Sequence, residues 1–434
     1  MSPLRVGIAG LGTVGGAVLR RLMDDAGAIA TRTGREIVVS GVSARSREKA
    51  ASTFGSADWF DDPVALARSP IIDVFVELIG GHEGPARAAV EAAIAAGKPV
   101  VTANKALLAH HGMTLAGAAE AQGVSLSFEA AVAGGIPIVK VLREALSGNT
   151  IDRVYGILNG TCNYILTRME AEGIGFSDCL AEAQRLGYAE ADPTFDIDGY
   201  DTAHKLAILA SLAFGTAIDL DAVHVEGIRS ITSDDLRAAD DLGYRVKLLG
   251  VAQRTDHGIE TRVHPTMVAK TTELAEVKGV TNAVAINADA VRELTLVGPG
   301  AGGDATASAV LGDIADLARG SRVLPFGRSV AALERAPRAP MQRHEGGYYV
   351  RLSVRDQPGS IAAIATRMAA AEISFESIMQ RQPAQAQRSA ERGYVPVVLI
   401  THATSETTIR TALDAVEAGG TIAGKPQLIR IERD

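Results

Sequence analysis

Apolar residues open this chain in short unbroken runs, each followed by a glycine-bearing turn and then by a longer stretch with helical spacing. LRVGIAG (4–10), EIVVSGVS (36–43), IIDVFVELIGG (71–81), KPVV (98–101) and VSLSF (124–128) are the runs. Runs of four to eight apolar residues without alternation predict strands buried on both faces. AVLRRLM and PARAAVEAAIAAG, between them, predict helices. Strands alternating with helices predict a parallel sheet covered on both sides, a doubly wound α/β domain over 1–140.

Beyond about residue 140 the pattern changes. A helix over PIVKVLREAL leads to a strand, DRVYGILNG, and to a helix opened by Thr161. Later stretches such as TRVHPTMV and NAVAINA read as strands, so 141–300 is expected to be an inserted α+β domain. At LTLVGPGAGGDATASAVLGDIADLA the first pattern is expected to resume and complete the first domain by about 300–325. A Pro- and charge-rich connector, 326–346, precedes a C-terminal βαββαβ pattern over 347–434. The polar stretch QRQPAQAQRSAER within it is expected to be mobile.

Composition narrows the function classes. With 434 residues, 47% hydrophobic and 22% charged, the chain can build two to four cored domains. A net charge of −8 and the lack of a basic stripe argue against nucleic acid. Two cysteines, Cys162 and Cys179, make neither a zinc site nor a disulfide framework and fit a reducing compartment. No apolar run reaches the roughly 18 residues of a spanning helix, and the start reads as a fold motif rather than a signal peptide. A cytoplasmic protein without a membrane partner is expected.

The first turn carries the first chemistry. Gly10-Leu11-Gly12-Thr13-Val14-Gly15 lies between a strand and a helix, with a second strand at the expected distance. In that context GxGxxG predicts a dinucleotide site, with the pyrophosphate on the helix N-terminus. The second strand ends in Ser43, Ala44 and Arg45, with Arg47 and Lys49 behind, where an NAD site carries an acid. Arg45 therefore leans towards the 2′-phosphate of NADP, with NAD as the alternative; a solvated basic helix start is the plainer reading. Thr102, Ala103, Asn104 and Lys105 follow a strand and belong at the same crevice, although Asn104-Lys105 also reads as an ordinary helix cap. Gly298–Gly303 opens a further helix where backbone can approach a ligand. Glu129, with carbonyls around Gly134 and Gly135, can hold a hard cation or form a simple turn.

The densest signal is GYAEADPTFDIDGYDTAHK (187–205). It holds Glu190, Asp192, Asp196, Asp198 and Asp201, and then Lys205 inside an otherwise apolar helix. Asp201 and Lys205, four apart, share a helix face. A solvated acidic loop is the bland account. A lysine heading into HKLAILASLAF needs either an outlet to water or a lined cavity with a partner.

Together these stretches resemble homoserine dehydrogenases with a C-terminal ACT domain, over the whole length. GLGTVGG, TANK, EAAVAGGIPI, GILNGTCNYIL, the acidic segment and GPGAGGDATASAV carry the resemblance. It implies a Rossmann-type domain, an inserted substrate and dimerisation domain, and reduction of L-aspartate 4-semialdehyde to L-homoserine with NADPH or NADH. That step serves threonine, isoleucine and methionine biosynthesis. By the same resemblance Lys205 is the proton donor, Asp201 the carboxylate beside it, and Lys105 the second active-site lysine near nicotinamide and substrate. Glu190 and Asp196 bind substrate; Leu11, Thr13, Val14, Thr102, Gly187 and Gly303 line the cofactor. Glu129 with the carbonyls of Val132, Gly134 and Ile136 is a sodium site. L-threonine at the ACT domain and a homo-oligomer, dimer or tetramer, are also implied. Cys162, where many members have Thr, is not read as a nucleophile. Two lysines in one site are expected to depress each other's pKa, with Asp201 countering that for its neighbour. The rival readings are an NADP-dependent dehydrogenase of another small amino-acid aldehyde, and a non-catalytic nucleotide or amino-acid sensor.

Overall fold

Six parallel strands form the first sheet: β1 (Leu4–Ala9), β2 (Ile37–Ser43), β3 (Asp58–Phe60), β4 (Val74–Glu77), β5 (Val100–Thr102) and β6 (Leu126–Ser127). The computed structural model describes residues 2–50, 54–380 and 393–432, apart from the side chain of Lys49. The strand order is β3-β2-β1-β4-β5-β6, so the winding reverses between β1 and β4 and opens a crevice at their carboxyl ends. Among the strands expected from apolar runs, β3 is absent. It is a three-residue edge strand, DWF, exposed or half-buried throughout, and so has no unbroken apolar run.

Helix Thr13–Asp24 packs one face of this sheet through Ala17, Val18, Leu19 and Leu22. Val310 and Ile314 of helix Gly303–Ala318 join the same cluster. Each fully buried Val, Leu or Ile contributes about 1.5–3 kcal/mol, so this distant helix is integral to the domain. The strand preceding it is not. Arg292–Pro299 pairs antiparallel with Thr281–Ala288 in the other sheet, and only the helix returns to the first pattern.

The second sheet contains β7 (Ile151–Ile157), β8 (His224–Val225), β9 (Tyr244–Thr255), β10 (Gly258–Ala269), β11 (Thr281–Ala288), β12 (Arg292–Pro299), β13 (Glu345–Arg355), β14 (Phe375–Gln380), β15 (Tyr394–Thr401) and β17 (Ile422–Glu432), with β16 (Thr404–Ser405) pairing at the end of β13. Its main order is β12-β11-β7-β9-β10-β17-β13-β15-β14. The C-terminal βαββαβ elements thus extend the central sheet instead of standing apart. β17 runs parallel to β10, with Thr266 opposite Arg430, and covers what would otherwise be two open edges. The joint is also polar. Asp235, fully buried, accepts hydrogen bonds from the Tyr349 hydroxyl (2.9 Å) and Arg351 Nε (2.7 Å).

Residues 326–346 are bound along their course. The Phe326 ring lies 5.3 Å from that of Phe128, and Pro337 and Ala339 exchange backbone hydrogen bonds with Ile259. The stretch expected to be mobile lies outside the described residues from 381 to 392.

The helix Tyr200–Phe214 is central to the second domain and buried on all sides from Asp201 to Leu212. It starts at Gly199 (φ +91°), where any Cβ would press within 3.1 Å of Val225 and Val263. Glycine meets both demands, the left-handed backbone and the close approach. Among the described residues no helix is long and apolar enough to cross a membrane.

Candidate active site

The glycines of the first turn are set by contact. A Cβ at Gly10 would lie 2.3 Å from the Leu78 carbonyl oxygen, and one at Gly15 would lie 1.9 Å from the Gly10 oxygen. Gly12 faces open space and caps helix Thr13–Asp24 without a side chain, leaving the first-turn N–H groups to a ligand. A cleft of about 660 Å³ opens there, lined by Gly10, Leu11, Gly12, Ser43, Arg45 and Gly80 among others. Val14 packs into the core beneath it, and a Cβ at Gly303 would meet the Thr13 oxygen at 3.1 Å. The two glycine turns therefore meet at one helix start.

Thr102 sits differently from expectation. It is fully buried, and its hydroxyl donates to Glu77 Oε2 (2.6 Å) rather than facing the cleft. Glu77 Oε1 accepts from the N–H groups of Ile79 (2.7 Å) and Gly80 (3.0 Å). Asn104 completes the bracket: its amide donates to the Gly81 carbonyl (2.7 Å) while its Oδ1 caps Leu107. Glu77 thus fixes both loops beside the cleft, a role unnoticed in the sequence. The available signal was an acid closing an apolar strand just before two glycines.

The acidic segment folds as a turn leading into the central helix. Lys205 Nζ donates to Asp201 Oδ2 (2.8 Å) and to the Leu158 carbonyl (2.6 Å). From the first domain, Lys105 Nζ reaches the other oxygen of the same carboxylate, Asp201 Oδ1, at 3.1 Å. Asp201 is buried, which alone would raise its pKa. The ammonium groups of Lys205 and Lys105 overcome this and hold it well below the usual carboxylate range. The expected mutual depression fails at Lys105, whose pKa is raised, chiefly by Asp201.

Asn159, another residue without an expected role, orders the carboxylates. Its amide donates to Asp201 Oδ2 (2.8 Å) and Asp196 Oδ1 (2.9 Å), while its Oδ1 caps the helix Gly160–Glu172 at Cys162. Burial, with Asp201 nearby, pushes the Asp196 carboxyl up. Glu190 is exposed, and its charge contributes to the raised pKa of Lys105, after Asp201 and Asp196. Gly187 is exposed at the end of helix Phe176–Arg185. Asp192 caps Thr194 and Asp198 pairs with Arg229, so neither faces the lysines. Burial pushes the Cys162 thiol well above its ordinary pKa, and its Sγ donates to the Asp196 carbonyl (3.2 Å). Such a thiol is not a nucleophile at neutral pH.

Glu129 is buried in the glycine-rich turn. Its two oxygens accept the N–H groups of Val139 (2.9 Å) and Lys140 (2.8 Å). Burial raises its pKa to about 7 against those two hydrogen bonds, so a nearby cation would stabilise the ionised form. The Ile136 carbonyl accepts from Ile138 N (2.8 Å), and Gly134 packs against the Gly300 carbonyl. Among the described residues no three His, Cys, Asp or Glu side chains gather into a metal cluster. One carboxylate beside backbone carbonyls is a donor type that suits a hard cation, and here both Glu129 oxygens and the Ile136 carbonyl already accept backbone N–H groups.

Residues 10–129 match the family model described as homoserine dehydrogenase, NAD binding domain, and residues 137–315 match that described as homoserine dehydrogenase. The chain is 46% identical to the homoserine dehydrogenase of Pseudomonas aeruginosa, over the whole length of both. The chain belongs to the homoserine dehydrogenase family. A crystal structure of the Thiobacillus denitrificans homoserine dehydrogenase is similar with TM-score 0.93 at 44% identity, covering 100% of this chain and 99% of that one. A hyperthermophilic archaeal homoserine dehydrogenase in complex with NADPH is similar with TM-score 0.64 at 29% identity, covering 74% of this chain and 99% of that one. This member of the family is thus an NAD(P)-dependent oxidoreductase of the aspartate semialdehyde/homoserine pair.

Proposed function

We propose that Lys205 is the proton donor in the reversible reduction of L-aspartate 4-semialdehyde to L-homoserine. The bound nicotinamide supplies the hydride to the aldehyde carbon. The observation that carries the reading is the ammonium of Lys205: two of its three N–H groups are taken by Asp201 and the Leu158 carbonyl, leaving one for a substrate oxygen. Asp201 pairs with both lysines and favours the charged form of Lys105, which opens the helix after Thr102 and belongs near nicotinamide and substrate. The carboxylate of Glu190 suits the substrate's α-ammonium, with Asp196 as a second contact; that charge-assisted pairing orients the aldehyde. A sensor that has lost catalysis has no use for two lysines converging on one carboxylate.

The cofactor is NADP in preference to NAD, supported by Arg45 at the end of β2 and by the NADPH-bound archaeal relative. Losing a hydrogen bond to a charged group costs about 1.5–3 kcal/mol. Arg45→Ala is therefore expected to raise KM for NADPH by roughly ten-fold or more, leaving KM for NADH unchanged; parallel titrations check it, and equal effects on both would remove Arg45 from the site. The Glu129 site holds sodium. The protein acts in the cytoplasm as a homo-oligomer, dimer or tetramer. Its C-terminal βαββαβ elements form an ACT domain that takes L-threonine as a feedback inhibitor of threonine, methionine and isoleucine synthesis. NADPH oxidation on mixing with L-aspartate 4-semialdehyde, with and without threonine, tests the reading. Turnover only with another aldehyde would overturn the substrate, and indifference to threonine would overturn the effector.

A further inference from the structure

We propose that Glu226 is a positioning residue for this reaction: clamped by arginines of the C-terminal segment, it holds the backbone platform on which the Asp196–Asp201 turn rests. The inference rests on the reading that those two aspartates serve the substrate and Lys205.

The clamp is buried and multiply bonded. Arg430 of β17, 2% exposed, donates Nη1 to Glu226 Oε2 (2.7 Å) and Nη2 to Glu226 Oε1 (3.1 Å). The same guanidinium donates to both oxygens of Glu406 (2.6 and 3.0 Å) at the start of helix Glu406–Ala418. Arg410 of that helix adds an outer bond to Glu226 Oε1 (2.9 Å), and His224 Nε2 lies 3.0 Å from the same oxygen. Glu226 itself belongs to the catalytic part of the chain. Its N–H donates to the Val263 carbonyl of β10 (2.7 Å).

The platform then touches the active-site turn with no side chain between. A Cβ at Gly227 would lie 2.3 Å from the Ile197 oxygen and 2.5 Å from the Asp198 Cα. Ile228 donates its N–H to the Ile197 carbonyl (2.9 Å). On the other flank Gly199 fits against Val225 and Val263. Residues 225–228 therefore lie flat on 197–199, one residue past Asp196 and two before Asp201. Packed backbone does not deform gradually, so a shift at Glu226 passes to both carboxylates. Because β17 is hydrogen-bonded to β10 beside this clamp, the C-terminal domain is mechanically joined to the site it would regulate.

Glu226→Gln keeps the shape and removes the charge that two arginines share. In the full-length chain it is expected to lower kcat with L-aspartate 4-semialdehyde by about ten- to a hundred-fold, the effect of a displacement near 1 Å. NADPH affinity, followed by fluorescence titration, stays at the wild-type value. A lower melting temperature with unchanged kcat and unchanged KM for the semialdehyde would make the clamp purely structural and overturn the proposal. If Glu226→Gln does not fold, Arg410→Gln, which removes an outer partner of both Glu226 and Glu406 and leaves Arg430 in place, decides: a smaller loss of kcat at unchanged melting temperature supports positioning, and unaltered kcat overturns it. Asp201→Asn, assayed alongside, separates the two ideas. Loss of activity there with none in Glu226→Gln sinks the positioning role alone, whereas activity in both sinks the reading of the carboxylates as well.

Discussion

Replacing Lys205 by alanine is expected to lower kcat by about 10²–10⁴-fold, the span over which a positioned general acid contributes, while NADPH binding stays unchanged. The split follows from the geometry. Lys205 lies on the central helix of the second domain, bonded to Asp201 and the Leu158 carbonyl. The glycine turn and Arg45, which line the cofactor cleft, are on the first domain. Stability should fall less than on loss of Asp201, because the Asp201 carboxylate keeps Lys105 and Asn159 as partners. Steady-state assays with a cofactor titration check both halves; a matching loss of NADPH affinity would mean that the domains no longer meet.

Asp201→Asn is expected to cost both activity and stability. The substitution leaves two ammonium groups facing an amide, and removing one partner from a buried ion pair typically costs roughly 3–5 kcal/mol. The pH dependence has a definite sign. The folded-state pKa of Asp201 lies below its unfolded value, so its contribution is fully present above about pH 4 and is lost as pH falls through the folded value. Lys105 is shifted upward, so its contribution is present below about pH 10 and is lost as pH rises through its folded value. The stability gap between wild type and Asp201→Asn should therefore form a plateau across neutral pH and narrow towards acid. Urea titrations at neutral and acid pH check it. Without the anion that raises Lys105, the alkaline limb of kcat should also move to lower pH. A gap that widened in acid would contradict the assignment.

Much of the first domain was legible because parallel strands covered on both faces leave unbroken apolar runs, as in β1, β2, β4 and β5. β3 was not, since three half-exposed residues carry no such run. The joining of β17 to β10 was hidden for a different reason: strand partners far apart in sequence leave no local pattern, and the Pro- and charge-rich stretch before β13 argued for separation. At the site, the four-residue spacing of Asp201 and Lys205 was readable as shared helix geometry. The arrival of Lys105 from another domain was not; it entered through the family resemblance. Asn159 and Glu77 act through hydrogen bonds to backbone and side chains remote in sequence, so neither periodicity nor charge run marked them. At Lys105 the pKa expectation failed because it weighed the two cations against each other and gave the carboxylate only one neighbour. Asp201 has two.

The most direct test is single-turnover reduction of L-aspartate 4-semialdehyde by NADPH, measured side by side in Lys205→Ala and Lys105→Ala. Lys205→Ala is expected to slow the hydride-transfer step by about 10²–10⁴-fold with the semialdehyde still bound, whereas Lys105→Ala also weakens binding of substrate or cofactor. Transfer at the wild-type rate in Lys205→Ala would contradict the assignment of Lys205 as proton donor.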